Sequence, residues 1–173
     1  MKEPKVYPLA KLVCPENIFL GHDVIIDDFV FIGRGETTVI GDYVHIASFT
    51  SITGGGKCLI GNYSTLSSGV RIFTGTEDVH GNSLLGAAIP EPYRIAIRSY
   101  VTIGKHCMIG ANSVVLPGVV IPDGVVIGAM SLVLRDVILE PWTIYAGCPV
   151  RALRSRPSDR ILELTARLEA EQG

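Results

Sequence analysis

The sequence predicts an all-β chain. It reads as a three-sided parallel β-helix of about six coils, with one long inserted loop and a short C-terminal α-helix. Three observations carry this reading. Aliphatic residues recur at every sixth position, the period is reset by two extra residues at every third side, and glycine or asparagine recurs beside the anchors. Period six is neither 3.6 nor a long alternation of two. An amphipathic helix would drift out of phase within two hexads. Short strands joined by sharp turns keep the phase.

Residues 1–19 are expected to cap one end of the prism, where Pro4, Pro8 and Pro15 discourage further strand pairing. The prism spans residues 20–150. Its anchors are Leu20, Ile26 and Ile32, then Ile40, Ile46 and Ile52, then Ile60, Leu66 and Ile72. The steps of six, six and eight make one coil of twenty residues. From Ile97 nine hexads run without a slip to Val150, anchored at Ile97, Ile103, Ile109, Val115, Ile121, Ile127, Val133 and Leu139, with Tyr145 closing the series. Compact residues recur four places later, at Val101, Cys107, Ser113, Val119, Val125, Ser131 and Val137. Anchors point to the prism axis, and no hexad buries its anchor alone, so stacking makes the core. Glycine or asparagine is expected at corners that need positive φ. The flat faces expose aliphatics such as Val30, Val39 and Val126. Residues 151–173 are a tail with a helix from about Asp159 to Glu171. Ser158 suits its N-cap, Asp159 and Glu163 suit its first turns, and Ile161, Leu164 and Leu168 form its apolar stripe.

Three interruptions, after Ile32, Ile52 and Ile72, leave the same edge of the prism. The first two add two residues each. The third occupies residues 73–96, a length that is uncommon unless the loop has a task. It carries Glu77, Asp78, His80, Asn82 and Arg94 first or at its base, with Leu84, Leu85, Ile89 and Pro90 between. It reads as an arm with polar groups at its base and apolar anchors for a neighbouring subunit.

Composition excludes several classes. With 15 Lys+Arg against 17 Asp+Glu, the chain lacks the concentrated positive charge of a nucleic-acid binder. Charged residues at 18% and apolar residues at 47% argue against disorder. No signal peptide is visible and apolar runs break before membrane-spanning length, so a cytoplasmic setting without membrane insertion is expected. Cys14, Cys58, Cys107 and Cys148 make no zinc spacing and read as reduced, buried hydrophobes. No metal is expected.

The hexads IGDYVH, IGNYST, IGKHCM, IGANSV and IGAMSL match [LIV]-[GAED]-x-x-[STAV]-x. In this the chain resembles the left-handed β-helix acyltransferases built on that hexapeptide. The run from Val101 to Val150 is similar to the C-terminal half of sugar and antibiotic O- or N-acetyltransferases, with Cys148, Pro149 and Val150 where they usually carry Asn-Pro-Ala. The resemblance implies a left-handed prism, a homotrimer, acetyl-CoA as donor and a sugar or nucleotide-sugar hydroxyl or amino group as acceptor. It places Ala111 and Ala129 along the pantetheine arm. Arg135 and the following Arg151, Arg154 and Arg156 are candidates for the donor's phosphates, and Pro149 borders that end.

For the acceptor side, His80 leads as general base, since imidazole titrates near neutrality, with Asp78 or Glu77 to orient its ring. In maltose- and galactoside-type relatives a histidine follows a stretch like Ile-Tyr-Thr-x-Thr. Here Ile72–Thr76 is followed by Glu77. The acidic pair and the stretch Pro90-Glu91-Pro92-Tyr93 also resemble a polysaccharide-locus subgroup. Glu77 or Asp78 is therefore an alternative base or acceptor-binding carboxylate. His45 is another candidate, placed at a coil corner beside Ile25, Thr65 and Thr102. A non-catalytic, partner-binding prism is the alternative reading. A γ-type carbonic anhydrase would need an H-x4-H pair, and the chain has none.

Overall fold

The computed structural model describes residues 1–172. Its strands, mostly of two to four residues, stack into three parallel sheets, one for each face of a prism. The first face comprises Lys5–Val6, Ile25–Ile26, His45–Ile46, Thr65–Leu66, Met108–Ile109, Val126–Ile127 and Thr143–Gly147. The second runs from Lys11–Leu12 to Leu132–Val133, and the third from Ile18–Leu20 to Val120–Ile121. We call the corner between the first and second faces the first edge, that between the second and third faces the second edge, and the remaining corner the third edge.

The inward column is the anchor series. Ile26, Ile46, Leu66, Ile109, Ile127 and Tyr145 follow one another inside the first face, and Ile32, Ile52, Ile72, Val115 and Val133 inside the second. The compact residues four places on are buried too, apart from half-buried Val137. Each buried hexad removes its aliphatic side chain from water at about 1.5–3 kcal/mol.

The structure departs from the sequence reading at five places. The expected N-terminal cap is itself a coil, because Lys5–Val6, Lys11–Leu12 and Ile18–Leu20 pair with the coil that follows, so seven turns stack rather than six. Ile97 is 43% exposed and is not an anchor, because residues 96–98 pair back on Gly75–Glu77 instead of entering the prism. Val30 is fully buried at a corner rather than displayed on a face. Cys148 is exposed, and only Cys58 and Cys107 are buried. Burial pushes those two thiols up to about 12 and about 11.

The fifth departure concerns the corners. Gly54, Gly69, Gly118, Gly124 and Asn112 take positive φ at corners as expected, but so do large side chains, including Phe29, Tyr43, Phe49, Tyr63, His106, Met130 and Trp142. A left-handed residue costs about 1–2 kcal/mol. Stacking of successive corners offsets it: Phe29 on Phe49 at 5.2 Å along the first edge, and Tyr43, Tyr63, His106 and Trp142 in one column along the third. Gly124 lies between His106 and Trp142 in that column, and a Cβ there would stand 2.3 Å from the indole. Its absence lets the indole reach His106.

The C-terminal end is closed by Val150–Ser155, antiparallel to Thr143–Gly147. The helix Asp159–Ala170 then lies along the third edge. Its Ile161, Leu164 and Leu168 face Tyr63 and His106 across a shallow groove. Ser158 stands at the N-cap but makes no capping bond with its side chain. No described helix is long and apolar enough to cross a membrane.

Candidate active site

The interruptions leave the second edge, as the twenty-residue register requires. The long one opens as a short antiparallel stem, Gly75–Glu77 on Ala96–Arg98, which holds the base of the arm against the prism. Gly75 is needed at that joint: a Cβ would lie 2.2 Å from the Gly54 carbonyl oxygen.

The three loop candidates end in different states. Asp78 is buried, and its carboxylate accepts the His80 and Asn82 backbone N–H groups at 3.1 and 2.7 Å. Those bonds, the His80 amide foremost, hold its carboxyl below the usual aspartate value. Glu77 takes Arg94 on both oxygens, at 3.0 and 3.2 Å. The His80 side chain is exposed and its ring has no partner among the described residues. The expected carboxylate–imidazole arrangement in the loop is therefore absent: Asp78 accepts the loop's own amides, one on each oxygen, and the His80 ring is left exposed.

His45 lies on the first face, not at a corner. It stands between Ile25 and Thr65, and Thr102 belongs to the third face. Its Nε2 is 3.0 Å from Asp27 Oδ2. Among the described residues this is the one imidazole paired with a carboxylate. His106 is committed to the third-edge stack, where desolvation above all, together with Arg156 and Lys105, depresses its pKa.

The donor candidates divide between edges. Ala111 and Ala129 sit one coil apart on the first edge, with the Met130 amide donating to the Ala111 carbonyl. Gly147 continues the column through a bond to Ser131 Oγ, and Pro149 lies at its end. Arg154 is exposed on the closing strand. Arg135 lies on the second edge, its side chain crossing Gly118 at 3.0 Å from where a Cβ would stand. Arg156 is engaged elsewhere: it donates to the carbonyls of His106 and Gly124 and covers Trp142.

The sequence reading missed Arg34 and Arg98. Together with Arg94 they line a cavity of about 780 Å³ beside the stem. The signal was present, since all three follow or precede interruptions of one edge. No cluster of three or more metal-ligating side chains occurs among the described residues.

Comparison with known proteins places this geometry. Residues 100–135 match the bacterial transferase hexapeptide family (six repeats). The dTDP-4-amino-4,6-dideoxy-D-glucose acyltransferase of Escherichia coli is 40% identical over 161 residues, covering 92% of this chain and 82% of that one. A lipopolysaccharide biosynthesis O-acetyl transferase of Escherichia coli K12, WbbJ, is 35% identical over 80% of this chain and 69% of its own. Among solved structures, AntD, an N-acyltransferase from Bacillus cereus, superposes with a TM-score of 0.87 at 34% identity, covering 96% of this chain and 87% of that one. That form is a serine variant with dTDP-4-amino-4,6-dideoxyglucose and coenzyme A. Another form holds dTDP and 3-hydroxybutyryl-CoA, with a TM-score of 0.85 at 33% identity over 99% and 92% of the two chains.

Proposed function

The chain belongs to the hexapeptide-repeat acyltransferases and is an acyl-CoA-dependent transferase of sugar or nucleotide-sugar hydroxyl or amino groups; within that activity, we propose that it acetylates the amino group of a dTDP-linked 4-amino-4,6-dideoxyhexose. The observation that carries this reading is similarity over nearly the whole chain to an acyltransferase named for that sugar and to an N-acyltransferase that holds it.

The loop chemistry supports an amine over a hydroxyl. A hydroxyl needs an oriented base as it attacks. A neutral amine attacks the thioester carbon unaided. The C–N bond forms, the C–S bond breaks, and the proton lost from nitrogen passes to the departing thiolate or to His80. Asp78, kept ionised by two amide donors, holds the cationic nitrogen that develops during attack. Solved variants of AntD change a serine and an aspartate ten residues further on. Ser68–Asp78 and Ser113–Asp123 have that spacing here, and of the two serines only Ser68 is exposed.

Ser68 and the alanine column lie on the first edge, and Asp78 lies on the second. The full width of the second face separates them within one chain, so the site needs a second copy. A homotrimer supplies it. The outward column of the third face, Phe19, Val39, Leu59 and Val120, and the exposed Leu84, Leu85 and Tyr93 of the arm, are the apolar surface such a trimer would cover. Pantetheine would follow Ala111 and Ala129, with Pro149 and Arg154 toward the nucleotide end and Arg135 entering from the neighbouring copy.

A second reading, O-acetylation, draws on the His45–Asp27 pair as base. Thiol release from acetyl-CoA and from 3-hydroxybutyryl-CoA, with dTDP-4-amino-4,6-dideoxyglucose and with hydroxyl-only sugars, separates the two. Turnover with the amino sugar is expected. Asp78→Asn is expected to lower it about 10²-fold and His80→Ala less than about 10-fold. Turnover only with hydroxyl acceptors, lost in His45→Ala, would replace the amine reading.

A further inference from the structure

We propose that the arginine-lined groove on the second edge binds the diphosphate of the nucleotide-linked acceptor, an inference that rests on the acceptor reading above. Two cavities join to make the groove. The one of about 780 Å³ lies against the stem, and a second of about 490 Å³ continues it toward the N-terminal coils; both include Arg34, Gly55 and Arg98.

Charge accounting isolates two cations. Arg94 is neutralised by Glu77, and Lys57 by Glu36 at 3.1 Å. Arg34 and Arg98 pair with no carboxylate among the described residues. The groove wall therefore carries two uncompensated guanidinium groups in a chain of net charge -2.

The fold brings them together from 64 residues apart. Arg34 leaves the second coil and Arg98 the base of the fourth, and the turn Gly54–Gly56 of the third coil lies between them. Coil spacing of about 4.8 Å puts both forks within reach of one ligand. Arg98 Nε lies 3.5 Å from where a Cβ on Gly55 would stand, so the guanidinium stem rests in contact with this turn. The backbone N–H groups of Arg34, Gly35, Gly54 and Gly55 donate to no described protein group. Two planar forks and free amides suit adjacent phosphoryl groups, each of which offers several acceptor oxygens. The groove lining includes Thr76 and Glu77, the residues just before Asp78, so a diphosphate held here keeps its sugar near the loop carboxylate. Coenzyme A also carries a diphosphate. Its proposed column follows Ala111 and Ala129 with Arg135, which lies two coils beyond Arg98 toward the C-terminal end, so the groove is assigned to the acceptor.

The test is calorimetric titration of dTDP and, separately, of coenzyme A into the intact protein and into Arg34→Gln/Arg98→Gln. The dTDP Kd is expected to rise about 10–100-fold with the coenzyme A Kd unchanged, and KM for the amino sugar to rise with little change in kcat. Arg34→Lys/Arg98→Lys, which keeps charge but loses the forks, is expected to fall between. An unchanged dTDP Kd in the glutamine variant, with normal turnover, overturns the groove assignment and leaves the acceptor reading standing. Loss of coenzyme A affinity in place of dTDP affinity overturns it by giving the groove to the donor. Wild-type protein that binds coenzyme A but neither binds dTDP nor acylates the linked sugar overturns the acceptor reading, and the groove assignment with it.

Discussion

The third edge and the second edge are made by the same hexads, yet one is closed by its own chain and the other is left open. On the third edge Tyr43, Tyr63, His106 and Trp142 stack at 5.3, 5.0 and 5.9 Å. The Tyr63 hydroxyl reaches Glu169 of the covering helix at 2.9 Å, and burial with that bond pushes its pKa up to about 12. Arg156 satisfies two corner carbonyls at 2.6 and 2.9 Å. On the second edge Arg34, Arg98 and Arg135 pair with no carboxylate among the described residues, and Val79, Leu84, Leu85 and Tyr93 are all more than half exposed. A corner whose groups are satisfied within the chain is a structural device. A corner that leaves cations and apolar side chains unmet is where a ligand and a second copy complete the molecule.

The contrast is most severely tested by the arm. Replacing residues 80–93 with a short Gly-Ser turn is expected to lower turnover by more than about 10³-fold, since it removes Leu84, Leu85 and Tyr93, the apolar side chains that would hold the second copy and with it the other half of the site. The oligomer should dissociate in light scattering while the far-ultraviolet circular dichroism of the prism persists. Retained turnover would mean that the second edge is no more functional than the third.

A smaller effect, confined to stability, is expected on the closed edge. Gly124→Ala introduces a Cβ at positive φ within 2.3 Å of the Trp142 ring. It should cost about 2–4 kcal/mol in denaturant unfolding, with the folded enzyme still active. Loss of activity at unchanged stability would assign the third edge a role in the reaction.

The smallest effect concerns His106. Desolvation lowers its pKa below the ordinary 6.5, so the unfolded chain binds its proton more readily than the native one. The native state therefore loses stability as pH falls below about 6.5, until the folded-state pKa is also passed. Melting temperature should drop over this interval, and His106→Phe, which keeps a stacking ring without a titrating group, should flatten the drop. A variant with the same acid slope as wild type would place the sensitivity elsewhere.

Much of the fold was legible because each hexad states its own geometry. An aliphatic anchor and a compact residue four places later specify one short strand and one turn, whatever the rest of the chain does. The edge from which the interruptions leave was legible for the same reason, since counting residues counts sides. Ile97 defeated this reasoning. Its hexad has the right spelling, but pairing with Thr76 takes it out of the prism. His80 and Asp78 were legible as candidates and illegible as a pair, because the Asp78 carboxylate chose the amides of its own loop.

The sequence by itself determined the three-sided coil, the strand faces, the position of the arm and the C-terminal helix, because all of these follow from local spacing. Tertiary structure alone decided that His106 supports a stack, that Trp142 reaches it across Gly124, and that Arg34 and Arg98 share one groove. The physical reason is the stacking itself. It brings residues twenty or more apart to within one or two coil spacings, and the insertion shifts the count, so which side chains meet depends on a register that no local pattern spells out.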